Sequence, residues 1–402
     1  MPPPVLVVFS HLRWSFVYQR PQHLMSRLAG RWRVLFVEEP VRCEGPAWLD
    51  VRDVAPGLQV LVPHTPVAAP GFHDDQLAAL QTLLDAHFTA QQLHVDVAWL
   101  YTPMALPLVK IAQPDCVVYD CMDELTAFKD APRQLRQRES ALLKRAAVVF
   151  TGGPSLYEAK CELHPHVVCL PSAVDAAHFD TAGLPPGNAH AAEAQRLQGG
   201  LGHPRLGFFG VIDERLDTAL VAAVADAHPE WSVVMVGPVV KISPDSLPRR
   251  ANLHWLGMQP YERLPHLLAG WDVALMPFAL NESTRFISPT KTLEYMAGGK
   301  PVVSTPITDV ISLYGKAVAV ADGPQAFVQA CEALLAEGPA QRRQRGVAMA
   351  ECVTRYSWDL SAATVHVLLS QARRLAQPAD VAEALAAESR PAPLAAAGGL
   401  HR

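Results

Sequence analysis

Short, wholly apolar runs alternate with stretches of helical spacing, and this alternation begins at the N-terminus. Val5-Leu-Val-Val-Phe9 reads as a buried strand. A helix-like stretch follows from Pro21 to Leu28, and Val34-Leu-Phe-Val37 reads as the next strand. Val95 to Leu100, Val117 to Tyr119, Ala147 to Phe150 and Val167 to Leu170 continue the series. Buried runs separated by helical patterns predict βα units on a mainly parallel sheet.

Between Leu184 and Pro204 the pattern lapses into Pro, Gly, Ala, His and Gln, which is linker composition. The alternation then restarts with Leu206 to Phe209, Ser232 to Val236, Leu253 to Leu256, Asp272 to Met276, Pro301 to Val303 and Ala317 to Val320. Helical patterns run from Gln325 to Ala336, Pro339 to Val353 and Trp358 to Leu375, with Gly338-Pro339 as a stop and a start. The expected organisation is an α/β domain over residues 1–183, a linker over 184–204 and a second α/β domain over 205–357. A C-terminal helix at 358–376 packs back toward the first domain, and an Ala- and Pro-rich tail occupies 377–402.

Composition fits two domains: 402 residues exceed what one core usually supports, and half of them are hydrophobic. A net charge of −5 supplies no electrostatic footprint for nucleic acid. The seven cysteines show neither C-x-x-C pairs nor zinc-ligand spacing, which predicts a reducing cytosol. The first apolar run is too short to span a bilayer and lacks the flanks of a signal peptide. The expected location is cytoplasmic, with peripheral contact at the inner face of a membrane left open.

The chemistry concentrates in three places. In Ser288-Pro-Thr-Lys-Thr-Leu-Glu294, Ser288 reads as an N-cap with Pro289 at the first helical position. Lys291 then opposes the helix dipole, a conflict that an anion would resolve. Backbone N–H groups, Thr290 and Lys291 make a diphosphate cradle. Glu294, one turn on, suits a ribose diol. An ordinary capped helix with a surface Lys–Glu pair is the competing reading. In Tyr119-Asp120-Cys-Met-Asp123-Glu124, three carboxylates follow the carboxyl end of a strand. They cannot all be paired cheaply, so one should have a raised pKa suited to proton abstraction. Asp123 is the candidate base, and Asp120 braces the loop beside it by hydrogen bonds; loop-capping aspartates are the alternative. Arg20 and His23 open the first helix near the cleft mouth and are candidates for acceptor or phosphate binding. The cation-rich stretch from Lys129 to Arg145 reads either as a membrane-facing patch or as a solvated helix face.

At Leu293-Glu-Tyr-Met-Ala-Gly-Gly-Lys-Pro-Val-Val303 the chain resembles the GT-B glycosyltransferases, whose large retaining family carries an E-x7-E signature opening a "LEAMA-x-G-x-PVV" run. "LPSAVDAAHF", "LGFFGVIDERLD", "VVMVGP", "LHWLG" and "LPHLLAGWDVALMPF" follow that family's order, so the resemblance covers roughly Pro4 to Leu375. It implies two Rossmann-like domains facing across a cleft, and Glu294 as the ribose-binding glutamate. GT-B enzymes commonly meet phosphate charge with helix dipoles and basic residues, so no metal or other cofactor is expected. The chain departs at Phe286, where the first glutamate of the signature would stand, and at Val211, where an arginine is usual. Glu282 and Arg215 are the nearest substitutes. "W-x3-YQRPQHL" and "YDCMDE" are similar to a divergent group of teichuronic-acid and exopolysaccharide transferases, and to bacterial glucuronosyltransferases that invert with an aspartate base.

The resemblance implies transfer of a sugar from a nucleotide sugar, UDP-type, to a glycan or lipid-linked acceptor in cell-surface polysaccharide synthesis. Catalytic candidates are Asp123 and Asp120. Donor-binding candidates are Arg215, Ser288, Thr290, Lys291 and Glu294; acceptor-binding candidates are Arg20 and His23. Two alternatives share the donor site: a GT-B-shaped sugar-nucleotide epimerase, and a degenerate nucleotide-sugar-binding protein.

Overall fold

The computed structural model describes residues 2–128, 131–185 and 187–376. The expected tail at 377–402, and Lys129 and Asp130 of the charged stretch, lie outside the described residues.

Two parallel sheets organise the chain. The first contains β1 (Val5–Ser10), β2 (Arg33–Glu38), β3 (Val41–Arg42), β4 (Trp48–Ala55), β5 (Leu58–Thr65), β6 (Val97–Leu100), β7 (Cys116–Cys121), β8 (Val148–Thr151) and β9 (Val167–Cys169). Its order is β3-β5-β2-β1-β6-β7-β8-β9, with β4 added antiparallel to β5. The second contains β10 (Arg205–Phe209), β11 (Ser232–Val236), β12 (Leu253–Trp255), β13 (Val273–Met276), β14 (Val302–Ser304) and β15 (Ala319–Val320). Its order, β12-β11-β10-β13-β14-β15, is the doubly wound arrangement in which the chain reverses direction beside the first strand.

Both faces of each sheet are covered, which is why the strands read as continuous apolar runs. In β1, Val5, Val7 and Phe9 enter one core while Leu6 and Val8 enter the other, the period of two of a pleated strand. The second sheet divides likewise between a core around Trp271 and Tyr295 and one around Trp231 and Phe327. The helix Trp358–Ala376 returns to the first sheet, burying Trp358, Val365 and Leu369 with Leu24, Met25 and Trp32.

Two segments differ from the sequence reading. The stretch taken as linker contains a helix, Ala189–Gln198, capped by the Asn188 side chain on the Ala191 N–H at 2.7 Å. Only Ala194 and Gln198 of that helix are buried, so its apolar signal is faint; Gln198 is held by Trp271 and by the Leu267 carbonyl. The hairpin of β4 and β5 was also unforeseen. Charged residues such as Asp50, Arg52 and Asp53 interrupt β4, whose outer edge is exposed.

Candidate active site

The carboxyl ends of β10 and β11 finish in Gly210 and Gly237, at φ +148° and +147°. A Cβ on Gly237 would lie 1.8 Å from the Gly210 carbonyl oxygen, and one on Gly210 would lie 2.6 Å from Cε of Lys291. Only side-chain-free residues allow this approach. Lys291 therefore crosses the end of β10, with its ammonium 5.6 Å and 5.1 Å from the ring centres of Phe208 and Phe278.

Lys291 opens the helix Lys291–Ala297, which reaches Glu294 one turn later. Ser288 does not cap this helix as expected. Regular helix begins two residues beyond Pro289, and Ser288 Oγ is buried without a partner among the described residues. The reason is a contact across the domains: Ser172 donates its hydroxyl to the Ser288 carbonyl at 2.7 Å, while Thr290 donates to Ser172 Oγ at 3.3 Å. Gly153 lies so close that a Cβ there would meet Ser288 Cβ at 2.8 Å.

Burial dominates the titration of both site groups on this helix. It lowers Lys291 to about 8, with repulsion from Arg215 adding to the effect and Glu294 opposing it. Burial raises Glu294, only 7% exposed, to about 7 against the attraction of Lys291. Arg215 faces the same space. Its Nε and Nη2 donate to the Asp213 carboxylate at 2.7–3.1 Å.

Across the cleft, the three carboxylates after β7 divide by environment. Asp120 is fully buried and receives two hydrogen bonds from Arg20, at 2.8 and 3.0 Å. Glu124 pairs with Lys160 at 2.7 Å; burial works against its charge, but Lys160 and Thr126 hold its pKa below the usual value. Asp123 accepts no hydrogen bond at its carboxylate among the described residues. Burial raises its pKa, while Arg215 and Arg20 pull it down.

The structure corrects the expectations for Asp120 and His23 and narrows that for Arg20. Asp120 is spent on Arg20 and cannot take a proton from a substrate; β7 continues through Cys121, so Asp120 points from a strand into the interior. Arg20 is 2% exposed and lines the cavity between the two sheets, but each of its three nitrogens already donates, two to Asp120 and one to the Leu170 carbonyl at 2.7 Å, so its first task is structural. His23 is 1% exposed, stacked 4.8 Å from Trp358, and lowered to about 3 by burial and then by Arg27. His23 belongs to the support of the first helix, while Arg20 both supports it and faces the cavity beside Asp123.

Arg20, Asp123, Arg215, Ser288, Thr290, Lys291 and Glu294 line one cavity of about 530 Å³ between the two sheets' carboxyl ends, and His23 and Asp120 do not. Phe286 and Glu282 do not line it, and Phe286 packs against the core of the first domain instead. Sequence reasoning missed Ser172, the glycine pair and an aromatic loop at Trp14, Phe16 and Tyr18 that closes one wall. The glycines had a readable signal, since each directly follows a buried strand. The loop is fixed by Gln22, whose amide donates to the Arg13, Trp14 and Val17 carbonyls. The one group of His and Asp close enough to share an ion among the described residues, His94, Asp96 and Asp115, lies at the opposite strand ends. There Asp96 already pairs with Arg373 and the Val5 N–H.

Residues 203–337 match the family model described as "Glycosyl transferases group 1". A Bacillus subtilis (strain 168) protein named a teichuronic acid biosynthesis glycosyltransferase, TuaH, is 28% identical over 251 residues. That match covers 59% of this chain and 63% of the relative. Sucrose-phosphate synthase from Thermosynechococcus elongatus superposes with a TM-score of 0.70 at 15% identity, covering 92% of this chain and 99% of that one. Anabaena HepE in complex with UDP-glucose gives 0.68 at 15% identity, covering 91% and 99%. An E. coli structure described as trehalose-6-phosphate bound with UDP-2-fluoro glucose gives 0.65 at 11% identity, covering 91% and 99%. The two sheets, their strand order and the cleft between their carboxyl ends give the chain the GT-B fold, and over residues 203–337 its second domain is similar to the group 1 glycosyl transferases.

Proposed function

We propose that the protein is a glycosyltransferase that moves a sugar from a UDP-type donor to a glycan or lipid-linked acceptor in cell-surface polysaccharide synthesis. One observation carries this reading: a carboxylate with no hydrogen-bond partner among the described residues, Asp123, shares a cavity with Lys291, Arg215 and Glu294 from the other domain. The group 1 match over the second domain and the name of the Bacillus relative support it.

Glu294 accepts the ribose diol. Lys291 and Arg215 meet the charge that grows on the diphosphate as the bond to the anomeric carbon breaks and its electron pair leaves with the nucleotide. Asp123 takes the proton of the acceptor hydroxyl, whose oxygen forms the new bond from the face opposite the leaving group. Inversion follows from that geometry, and the absence of Phe286 from the cavity removes the sugar contact of the retaining signature. Arg133, Arg136, Lys144 and Arg145 are exposed on the flank of the first domain, which suits contact with an anionic membrane carrying a lipid-linked acceptor.

Asp123→Asn is the test. It keeps size and most hydrogen bonding, so donor binding survives while transfer falls by about 10²–10⁴-fold, the usual worth of a general base. NMR of the product reads the anomeric configuration. Retained configuration with near-normal activity in the variant would overturn the assignment. Donor turnover without an acceptor would favour the epimerase, and binding with no turnover the degenerate protein.

A further inference from the structure

Phe128 ends the loop that carries Asp123, and it reaches into the second domain. Its ring centre lies 5.7 Å from Cζ of Arg215 and 4.9 Å from Nζ of Lys241. The neighbouring Ala127 carbonyl accepts the hydroxyl of Ser283, also from the second domain, at 3.4 Å. Arg215 is thus held on two sides. Asp213 binds its Nε and Nη2 edge from the same domain, and the Phe128 face covers it from the opposite one. Lys241, 3.8 Å from Glu214, occupies the ring's other contact. A guanidinium is attracted to an aromatic face but gains only dispersion from an aliphatic side chain.

We propose that Phe128 is an interdomain positioning residue: its ring fixes the Arg215 guanidinium toward Asp123 and the diphosphate site when the two domains stand as they do here. This rests on the roles given above to Arg215 and Asp123. It predicts that the electrostatic half of the site is complete only while the acceptor domain is in place, which couples donor activation to cleft closure.

The experiment compares Phe128→Leu, which keeps bulk but loses the ring, with Phe128→Tyr, which keeps it. Calorimetry with UDP and with UMP separates the second phosphate from the nucleoside. Phe128→Leu should lose UDP affinity about three- to tenfold, the scale of one cation–π contact, with UMP unchanged within about twofold. Combined with Arg215→Ala, it should cost nothing further, because the ring acts through that guanidinium. Among the charged groups near Asp123 (Arg215, Arg20, Asp120 and Lys291), Arg215 is the one that Phe128 touches. With Arg215 released, the acid limb that Asp123 gives to kcat/KM for the donor, read in a Glu294→Gln background, should therefore move to higher pH, and Phe128→Tyr should restore it. Phe128→Met replaces the leucine variant if that one unfolds. Unchanged UDP-to-UMP discrimination and acid limb, a tyrosine variant as defective as leucine, or additive loss with Arg215→Ala would overturn the proposal. Wild-type protein that binds neither UDP nor the other nucleoside diphosphates would defeat the donor-site reading itself.

Discussion

Glu294 and Lys291 enter the cleft with opposite charges whose pKa values have moved toward each other, to about 7 and about 8. A nucleoside diphosphate needs Glu294 ionised, to accept the ribose diol, and Lys291 protonated, to meet the phosphates. In the free protein at about pH 6, Glu294 is ionised in roughly one molecule in eleven, so binding carries a penalty of about 1.4 kcal/mol, or tenfold in Kd. At about pH 9 the same arithmetic applies to protonation of Lys291. UDP affinity should therefore peak between about pH 7 and 8 and fall about tenfold on each side. The ligand's own phosphate titrates near pH 6 and weakens binding on the acid side as well. Glu294→Gln separates the two: it removes the protein's share of the acid limb and leaves the ligand's. Glu294→Ala should weaken binding by about 1.5–3 kcal/mol at the optimum. Calorimetry in buffers of different ionisation heat reads the protons directly, with release below about pH 7 and uptake above about pH 8. Parallel pH curves for wild type and Glu294→Gln would refute the coupling of this pair to the nucleotide.

Two further outcomes test separate parts of the site. Lys291→Ala should lower kcat by about 10²-fold or more while donor affinity changes far less, because charge on the leaving diphosphate grows in the transition state; Arg215→Ala should act in the same direction and less. Equal losses in both parameters would show a ground-state role. Arg20→Ala should destabilise the fold by about 3–5 kcal/mol, since it strands the buried Asp120 charge, and thermal unfolding measures it; an unaltered melting temperature with weakened acceptor binding would return Arg20 to the acceptor site.

The sheet was legible because βα units covered on both faces leave long apolar runs, and Val5–Ser10 or Ser232–Val236 cannot be read otherwise. The segment proposed for the donor stood out for a different reason: Lys291 contradicts the helix dipole unless an anion is intended. What sequence reasoning missed depends on contacts between distant residues. Arg20 and Asp120 lie 100 positions apart, and nothing local says that they pair. Ser172 is one small polar residue among many until the Ser288 carbonyl is brought to it. The capping signature at Ser288-Pro289 was locally sound, but a tertiary contact claimed the serine's carbonyl and shifted the start of regular helix to Lys291.

The charges around Asp123 also set an order of events. Arg215, Arg20 and Lys291 oppose the burial of Asp123 and restrain the rise in its pKa, and the first and last of these stand in the proposed diphosphate site. A donor diphosphate neutralises those two cations. Asp123 is then left with burial and the repulsion of Asp120, opposed by Arg20 alone, so its pKa rises further. The base therefore strengthens when the leaving group arrives, and a cleft without donor holds a weaker one. Kinetics expose this directly, because kcat/KM for the donor reports groups in enzyme lacking donor and kcat reports the complex. In a Glu294→Gln background, which removes that carboxylate's own acid limb from kcat/KM, the acid limb of kcat should lie at higher pH than the acid limb of kcat/KM. Adding Asp123→Asn should abolish both. Coincident limbs would mean that the diphosphate does not rest on Arg215 and Lys291, whatever else occupies the cavity.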